Sequence, residues 1–347
     1  MSVVESPRVV GPLPLGLPMP RNLDLLDPGT PRVRVRTVTD RFPFPIPNGW
    51  FAVARSAELA PGNVEAAHYF GRDLALFRTQ AGEARVVDAY CAHLGAHLAV
   101  GGSVEGDCIA CPFHGWKYDG ATGKCVEIPY AESERIPARA AVRTYRVVER
   151  NGLVFAWYHA HDGDPFFEVP DVPEFGDPRW LAPYLIEFRI STSCQEMAEN
   201  NHDHAHFKFV HGSDAIPTAS ELIEGTYKRV EGGGLIRETF GLGLGVLHMS
   251  STMAFLSTVS PIDEDNVHVR WIFTAPVGEG RQVDIVDGRR VDTGAANAAE
   301  ALAKSFAEGV TQDIPIWENK IYRERPVLTK GESGIAVHRK WAEQFYS

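Results

Sequence analysis

The chain has 347 residues, enough for two domains each with its own core, and its 44% hydrophobic and 23% charged content is that of an ordinary globular protein. A formal net charge of 34 − 45 = −11 disfavours nucleic acid and anionic membrane as partners. No run approaches the roughly 20 apolar residues of a membrane helix. Pro12, Pro14, Pro18 and Pro20 break up the only apolar stretch near the N-terminus, so neither a signal sequence nor a transmembrane segment is expected. The five cysteines lack the regular spacing of a disulfide framework, and the expected location is a reducing cytoplasm.

Residues 1–48 hold ten of the 24 prolines and are expected to run extended over the surface, neither helix nor central strand. From Gly49 to 165 the pattern is of short strands between turns, such as Asp73–Arg78, Arg85–Tyr90 and Gly152–Tyr158, which predicts a small all-β domain. Within it lie Cys91-Ala-His93 and Cys111-Pro-Phe-His114. Two thiolates and two imidazoles are the donor set of a Rieske [2Fe–2S] cluster, with Cys91 and Cys111 on one iron and His93 and His114 on the other. A Cys2His2 zinc site uses the same ligand types. Against it, Gly95 and Gly115 make both segments loops where a zinc finger needs a helix, and Pro112 stiffens the second loop. Trp116 and Tyr118 suit a shielded cluster. Cys108, Cys125 and Cys194 are read as packed free thiols.

Pro165–Pro183, rich in proline and acids, reads as a linker, so that 166–347 form a second domain. It is expected to hold a helix near 195–210, β-rich stretches around 235–276 and a last helix over about 295–323. Gly241-Leu-Gly-Leu-Gly245 lacks the strand–turn–helix context of a dinucleotide loop and reads as a strand beside a cavity. With no nucleotide site, the chain needs an external electron donor. Residues 199–212 concentrate His202, His204, His206 and His211 with Asp203. Helical spacing favours His202 with His206. His206 and His211 lie about 140° apart on an ideal helix and converge only where the helix distorts or ends, as Gly212 allows. A polar helix face with scattered histidines is the plain alternative. In the last helix Leu302, Phe306, Val310, Trp317 and Ile321 mark an apolar stripe that includes Asp313. A carboxylate facing a core needs a cation, and Pro315 is expected to disrupt the helix just after it. An N-cap or a buried salt bridge is the plain alternative for Asp313.

The stretches Cys91-Ala-His-Leu-Gly-Ala-His-Leu and Cys111-Pro-Phe-His-Gly-Trp-Lys-Tyr-Asp resemble the Rieske domain of ring-hydroxylating non-haem iron oxygenases. The high-potential respiratory Rieske proteins are less similar. They carry a disulfide where this chain has Ala96 and Phe113, and a serine where it has Trp116. Fewer hydrogen bonds to sulfur imply a lower potential. Asn200-x-x-Asp203-x-x-His206-x4-His211 is similar to the family's mononuclear iron motif, and Gln312-Asp-Ile-Pro-Ile-Trp317 to the context of its third ligand.

The resemblance implies His206, His211 and Asp313 as ligands of a mononuclear Fe(II). It makes Asp203 a carboxylate bridging to a cluster histidine of a neighbouring subunit, with Asn200 beside the iron site. It further implies an α+β architecture: an N-terminal all-β Rieske domain (49–165), then a helix-grip catalytic domain of antiparallel sheet plus helices (166–347). Pro47-Asn-Gly-Trp50, the Asp313 helix and Arg339-Lys-Trp-Ala-Glu-Gln-Phe-Tyr346 are similar to the steroid branch. Its members include the oxygenase component of 3-ketosteroid 9α-hydroxylase and the cholesterol 7-desaturases. The implied activity is O2-dependent hydroxylation of a steroid-like polycyclic substrate, by a homotrimer fed by a ferredoxin or a flavin/iron–sulfur reductase. Desaturation and oxidative demethylation are the alternatives within the family, and a Rieske electron-transfer protein without catalysis is the alternative outside it. Leu242, Leu244, Val246, Met249, Met253 and Phe255 are candidates for an apolar substrate cavity, and equally for plain core.

Overall fold

The computed structural model describes residues 8–12, 41–131, 135–232, 234–249, 252–278, 283–286, 289–292 and 298–347. Most of the proline-rich segment expected over 1–48 lies outside them. Among the described residues, one compact unit runs from Ala52 to Tyr158, and the other comprises 8–12, 41–51 and everything from His159 onward.

The 52–158 unit is all-β. Antiparallel strands Val64–Tyr69, Arg72–Arg78 and Ala84–Asp88 form one sheet, and short strands Ser103–Glu105, Cys108–Ala110, Lys117–Asp119 and Cys125–Glu127 form a four-stranded meander. Alternating apolar residues of both sheets meet in one core that includes Phe77, Val87, Leu98, Ile109 and Tyr118, all almost fully buried. Cys91 and Cys111 belong to the same core, so the loops carrying them are pinned to it.

The second unit is α+β. Its sheet has eight antiparallel strands, ordered Arg8–Pro12, Tyr184–Ile190, Val267–Thr274, Met253–Pro261, Leu244–Met249, Leu235–Phe240, Tyr227–Gly232 and Ser220–Glu224. The helix Ala298–Asn319 packs on strands Tyr184–Ile190 and Val267–Thr274, the helix-grip arrangement expected. Its Phe306 ring sits against Phe255, Phe273 and Trp271, with centroids 5.7, 5.2 and 6.4 Å away. The packed stripe differs from the apolar one read from sequence. Ala299, Ala303, Ala307, Val310, Asp313, Ile314 and Trp317 are buried, whereas Leu302 and Phe306 are half-buried. Ile321 lies beyond the helix and is 48% exposed. Small alanines at the contact line let the helix approach the sheet closely, which leaves the larger side chains flanking it. Pro315 does not disrupt the helix, which continues through it to Asn319.

Gly241–Gly243 form a turn instead of the expected strand. Gly241 has φ 64°, and a Cβ there would come 2.6 Å from the Phe167 ring; one at Gly243 would come 2.6 Å from Phe51. Close packing under the turn explains the glycine run. Residues 42–48 pack within this same unit: Phe44 meets Tyr322 edge-on and stacks on Tyr346, and the Asn48 backbone amide donates to the Phe345 carbonyl at 2.7 Å. Among the described residues no helix is long and apolar enough to cross a membrane.

Candidate metal centres

The two Cys–His loops of the all-β unit are built on one plan. In each, the cysteine carbonyl accepts the amide of the glycine four residues on (Gly95 N and Gly115 N, both 3.0 Å). The cysteine amide donates to the carbonyl five residues on (Ala96 O and Trp116 O, both 2.9 Å). Both glycines have positive φ, 77° and 72°, where a side chain would be strained. The paired loops bring His93 and His114 together with ring centroids 4.8 Å apart. Trp116 stacks on His93 at 4.6 Å, and its indole N–H reaches the Tyr130 hydroxyl at 2.9 Å. The Tyr118 hydroxyl lies 3.0 Å from Cys91 Sγ and accepts the Ala92 amide at 3.1 Å.

Burial and the adjoining Cys91 push the Cys111 thiol up from its ordinary value, in part opposed by backbone amides. Nδ1 of both His93 and His114 is buried without a hydrogen-bond partner among the described residues. Two orphaned imidazole nitrogens beside two buried thiols are costly unless something binds all four, and the donor set is that of a [2Fe–2S] cluster. Cys108, Cys125 and Cys194 are free thiols, as expected.

In the α+β unit the chain from Ser193 makes a helix (Cys194–Glu199), whose first turn is capped by the Ser193 hydroxyl, then a tighter turn over Asn200–His202. At Asp203 (φ −88°, ψ 83°) the helix breaks, and a short helix His206–Phe209 follows, with Val210 at its C-cap and Gly212 at φ 70°. This distortion puts His206 and His211 5.1 Å apart by ring centroid. His211 Nε2 lies 3.2 Å from Asp313 Oδ2, and ligand atoms of His206, His211 and Asp313 all fall within 4.8 Å of one another.

Both rings are oriented from behind by oxygens. His206 Nδ1 bonds the Asp203 carbonyl, and His211 Nδ1 bonds Gln312 Oε1 at 3.1 Å. An oxygen acceptor at each Nδ1 keeps the proton there and turns each Nε2 lone pair towards the site. Burial pushes the Asp313 carboxyl above its usual value, opposed by the two histidines, which fits a carboxylate that awaits a cation. Asn200 Nδ2 sits 3.4 Å from His206 Nε2, and Asp203 Oδ1 accepts the His206 amide at 3.4 Å. Two imidazoles and a carboxylate, with space on one side, suit a facial-triad iron.

His202, one of the pair that helical spacing favours, is buried among other partners. It lies 2.6 Å from Lys228 Nζ and stacks on His338 at 4.6 Å. Lys228 and His338 were not singled out in the sequence, and Gln312 entered only as the first residue of the Asp313 motif. Gln312 alone had a signal there, its place beside Asp313.

A cavity of about 340 Å³ opens over the triad, lined by Leu242, Leu244, Leu247, Phe255, Trp271 and Phe306 among others. Leu242, Leu244 and Phe255 were expected in it. Val246, Met249 and Met253 do not line it, and Val246 pairs with Glu238 and Leu256 on the opposite face of the sheet.

Residues 49–146 match the Rieske [2Fe-2S] domain, and residues 156–346 match the 3-Ketosteroid 9alpha-hydroxylase C-terminal domain. The chain is 32% identical to "Cholesterol 7-desaturase nvd" of Xenopus laevis, covering 100% of this chain and 81% of that one. It is also 32% identical to "Probable 3-ketosteroid-9-alpha-monooxygenase, oxygenase component" of Rhodococcus rhodochrous, covering 86% and 79%. Among solved structures, NdmA of Pseudomonas putida CBB5 superposes with TM-score 0.67 at 21% identity, covering 84% of this chain and 88% of that one. Dicamba monooxygenase superposes with TM-score 0.58 at 17% identity, covering 86% and 96%. At these identities the superpositions establish the fold.

Proposed function

The chain belongs to the Rieske non-haem iron oxygenases with a 3-ketosteroid 9alpha-hydroxylase-type catalytic domain, and on that premise we propose that it hydroxylates an unactivated C–H bond of a steroid-like polycyclic substrate. Its cofactors are a Rieske [2Fe–2S] cluster and a mononuclear iron, and the family draws electrons from a reductase or ferredoxin and uses O2. We assign Cys91, His93, Cys111 and His114 to the cluster, and His206, His211 and Asp313 to the iron. When bound, the cluster supplies single electrons and the iron supplies the oxygen chemistry that an unactivated C–H bond requires.

The observation that carries the steroid reading is the apolar cavity, whose walls lie directly against the three donors. Leu242, Leu244, Leu247, Phe255 and Phe306 hold a rigid hydrocarbon skeleton by burial, exclude water from the triad and fix which carbon faces it. The Asp203 carbonyl and Gln312 keep the two ligand imidazoles aimed, and Asp313 offsets part of the metal's charge. The Asn200 amide donates to the His206 Nε2 lone pair and would yield it to the metal. Asp203 is assigned as the carboxylate that meets a cluster histidine of a second copy, in a homotrimer.

The test is to load the chain with iron and sulfide, supply a ferredoxin–reductase pair, and screen neutral and acidic steroids by mass spectrometry. A product that gains one oxygen supports hydroxylation. One that has lost two hydrogens supports desaturation, the reading favoured by the identity to the cholesterol 7-desaturases. Turnover of small aromatic compounds with none of any steroid would sink both.

A further inference from the structure

The cavity contains one ionisable side chain that the oxidation chemistry leaves without a task. Among its lining residues the ionisable groups are His206, His211 and Asp313, which form the triad, and Arg237. Arg237 lies on the strand Leu235–Phe240, where alternation sends it and Thr239 to the same face, and both line the cavity. Its cross-strand row continues through Leu247 to Phe255, so an apolar floor leads away from the guanidinium.

Among the described residues Arg237 has no ion pair and no side-chain hydrogen bond. The nearby carboxylates are committed elsewhere. Glu238, the next residue, faces the other way and accepts the Tyr227 hydroxyl at 2.7 Å. Glu221 lies 3.4 Å from His202 Nδ1 and 3.7 Å from Lys228 Nζ. Burial draws the Arg237 guanidinium down to about 10, and no carboxylate's charge offsets it. Its own charge in turn helps to keep His202 neutral. A half-buried guanidinium in a mainly apolar cavity without a partner is costly, and its planar donor fork matches a carboxylate.

We propose that Arg237 is the residue that selects substrate at this site, by pairing with a carboxylate carried at one end of an otherwise apolar polycyclic skeleton. The preferred substrate is accordingly an acid of the steroid-like class, and its charged end fixes the depth at which the skeleton lies over the triad. The skeleton in this inference rests on the steroid reading above; the charged end does not.

Equilibrium dialysis on the cluster- and iron-loaded chain tests it with four probes: cholanic acid, its methyl ester, anthroic acid and its methyl ester. Wild type is expected to bind each acid more tightly than its ester by about tenfold or more, the range of a charge-assisted hydrogen bond. Arg237→Met is expected to erase that preference, and Arg237→Lys to keep part of it, with iron content and melting temperature as controls for folding. Equal binding of acid and ester by wild type overturns the inference even if neither variant folds. A preference that survives Arg237→Met overturns it too, as does failure of wild type to bind any of the four. An acid preference seen with anthroate alone, with neither cholanic compound bound, upholds the charged-end inference and removes the steroid reading.

Discussion

The two centres gather their donors by opposite means. Each cluster loop is a closed local turn in which cysteine and histidine stand two or three residues apart and the backbone hydrogen bonds belong to the loop itself. Two such loops, repeated on one plan and pinned to one small core, place all four donors. The triad has no such local closure. His211 and the Gln312 that orients it are 101 positions apart, so the site exists only when the long helix is docked on the sheet. One centre is therefore a property of two turns, and the other is a readout of the tertiary structure of a whole unit.

Substitutions of the donors give the largest test of that contrast. Asp313→Ala and His211→Ala are expected to lower the iron content from about three to about two per chain while the cluster's visible spectrum stays intact, and to abolish turnover. Cys111→Ala should do the reverse, removing the cluster and its sulfide while the triad still binds a single metal. His202→Ala should leave the iron count unchanged. Loss of the triad's iron in His202→Ala but not in His211→Ala would return the ligand role to plain helical spacing.

Acid should separate the units next. His202, His268 and His338 are buried in the α+β unit, and burial draws His202 down to about 3, His268 down to about 4 and His338 well below its usual value. Each stays neutral in the folded chain while its unfolded form takes up a proton near pH 6.5. The stability they contribute is complete above that pH and is lost as pH falls from 6.5 towards about 4 for His268 and about 3 for His202. The loss is about 1.4 kcal/mol per pH unit for each histidine. Glu196 and Asp313, pushed up by burial, offset part of it. Hydrogen exchange at pH 7 and pH 5 should show protection falling first in the α+β unit; equal loss in both would refute this.

Two smaller effects sharpen the comparison. Gln312→Ala removes the oxygen behind His211, and its iron affinity is expected to fall by about 10- to 100-fold with the cluster untouched. Calorimetric metal titration reads this, and an unchanged affinity would make Gln312 a bystander. Tyr118→Phe removes the hydroxyl beside Cys91 Sγ. The cluster's reduction potential should fall by about the one-electron equivalent of a hydrogen bond worth roughly 1 kcal/mol, some tens of millivolts. Protein-film voltammetry measures it directly.

The same contrast governed how far the sequence could be read. The four residues assigned to the cluster are legible from adjacency alone, because the loops that carry them are contiguous. At the triad, regular spacing points to His202 and His206, and resemblance was needed to reach His211. The chain breaks at Asp203, turns His202 towards Lys228 and His338, and brings His211 round after Val210. No periodicity encodes that break. The helix stripe was misjudged because apolar size is a poor guide where a helix lies close on a sheet: Ala303 and Ala307 take the contact, while Phe306 looks sideways into the cavity. The candidate cavity strand failed at Val246 for a simpler reason, since Gly241–Gly243 turn and so move the start of the alternation.

Neither of the imidazoles assigned to the iron leans on a carboxylate. The groups behind them are a backbone carbonyl and an amide oxygen, neutral dipoles that fix orientation and raise the rings' basicity less than a carboxylate would. The grip on the ion is thus set by aim more than by donor strength, and the centre should be exchangeable. A chelator should strip it reversibly while the four-donor cluster remains. Metal supply in the surrounding medium would then act on this chain as a control of activity, without any change in its fold.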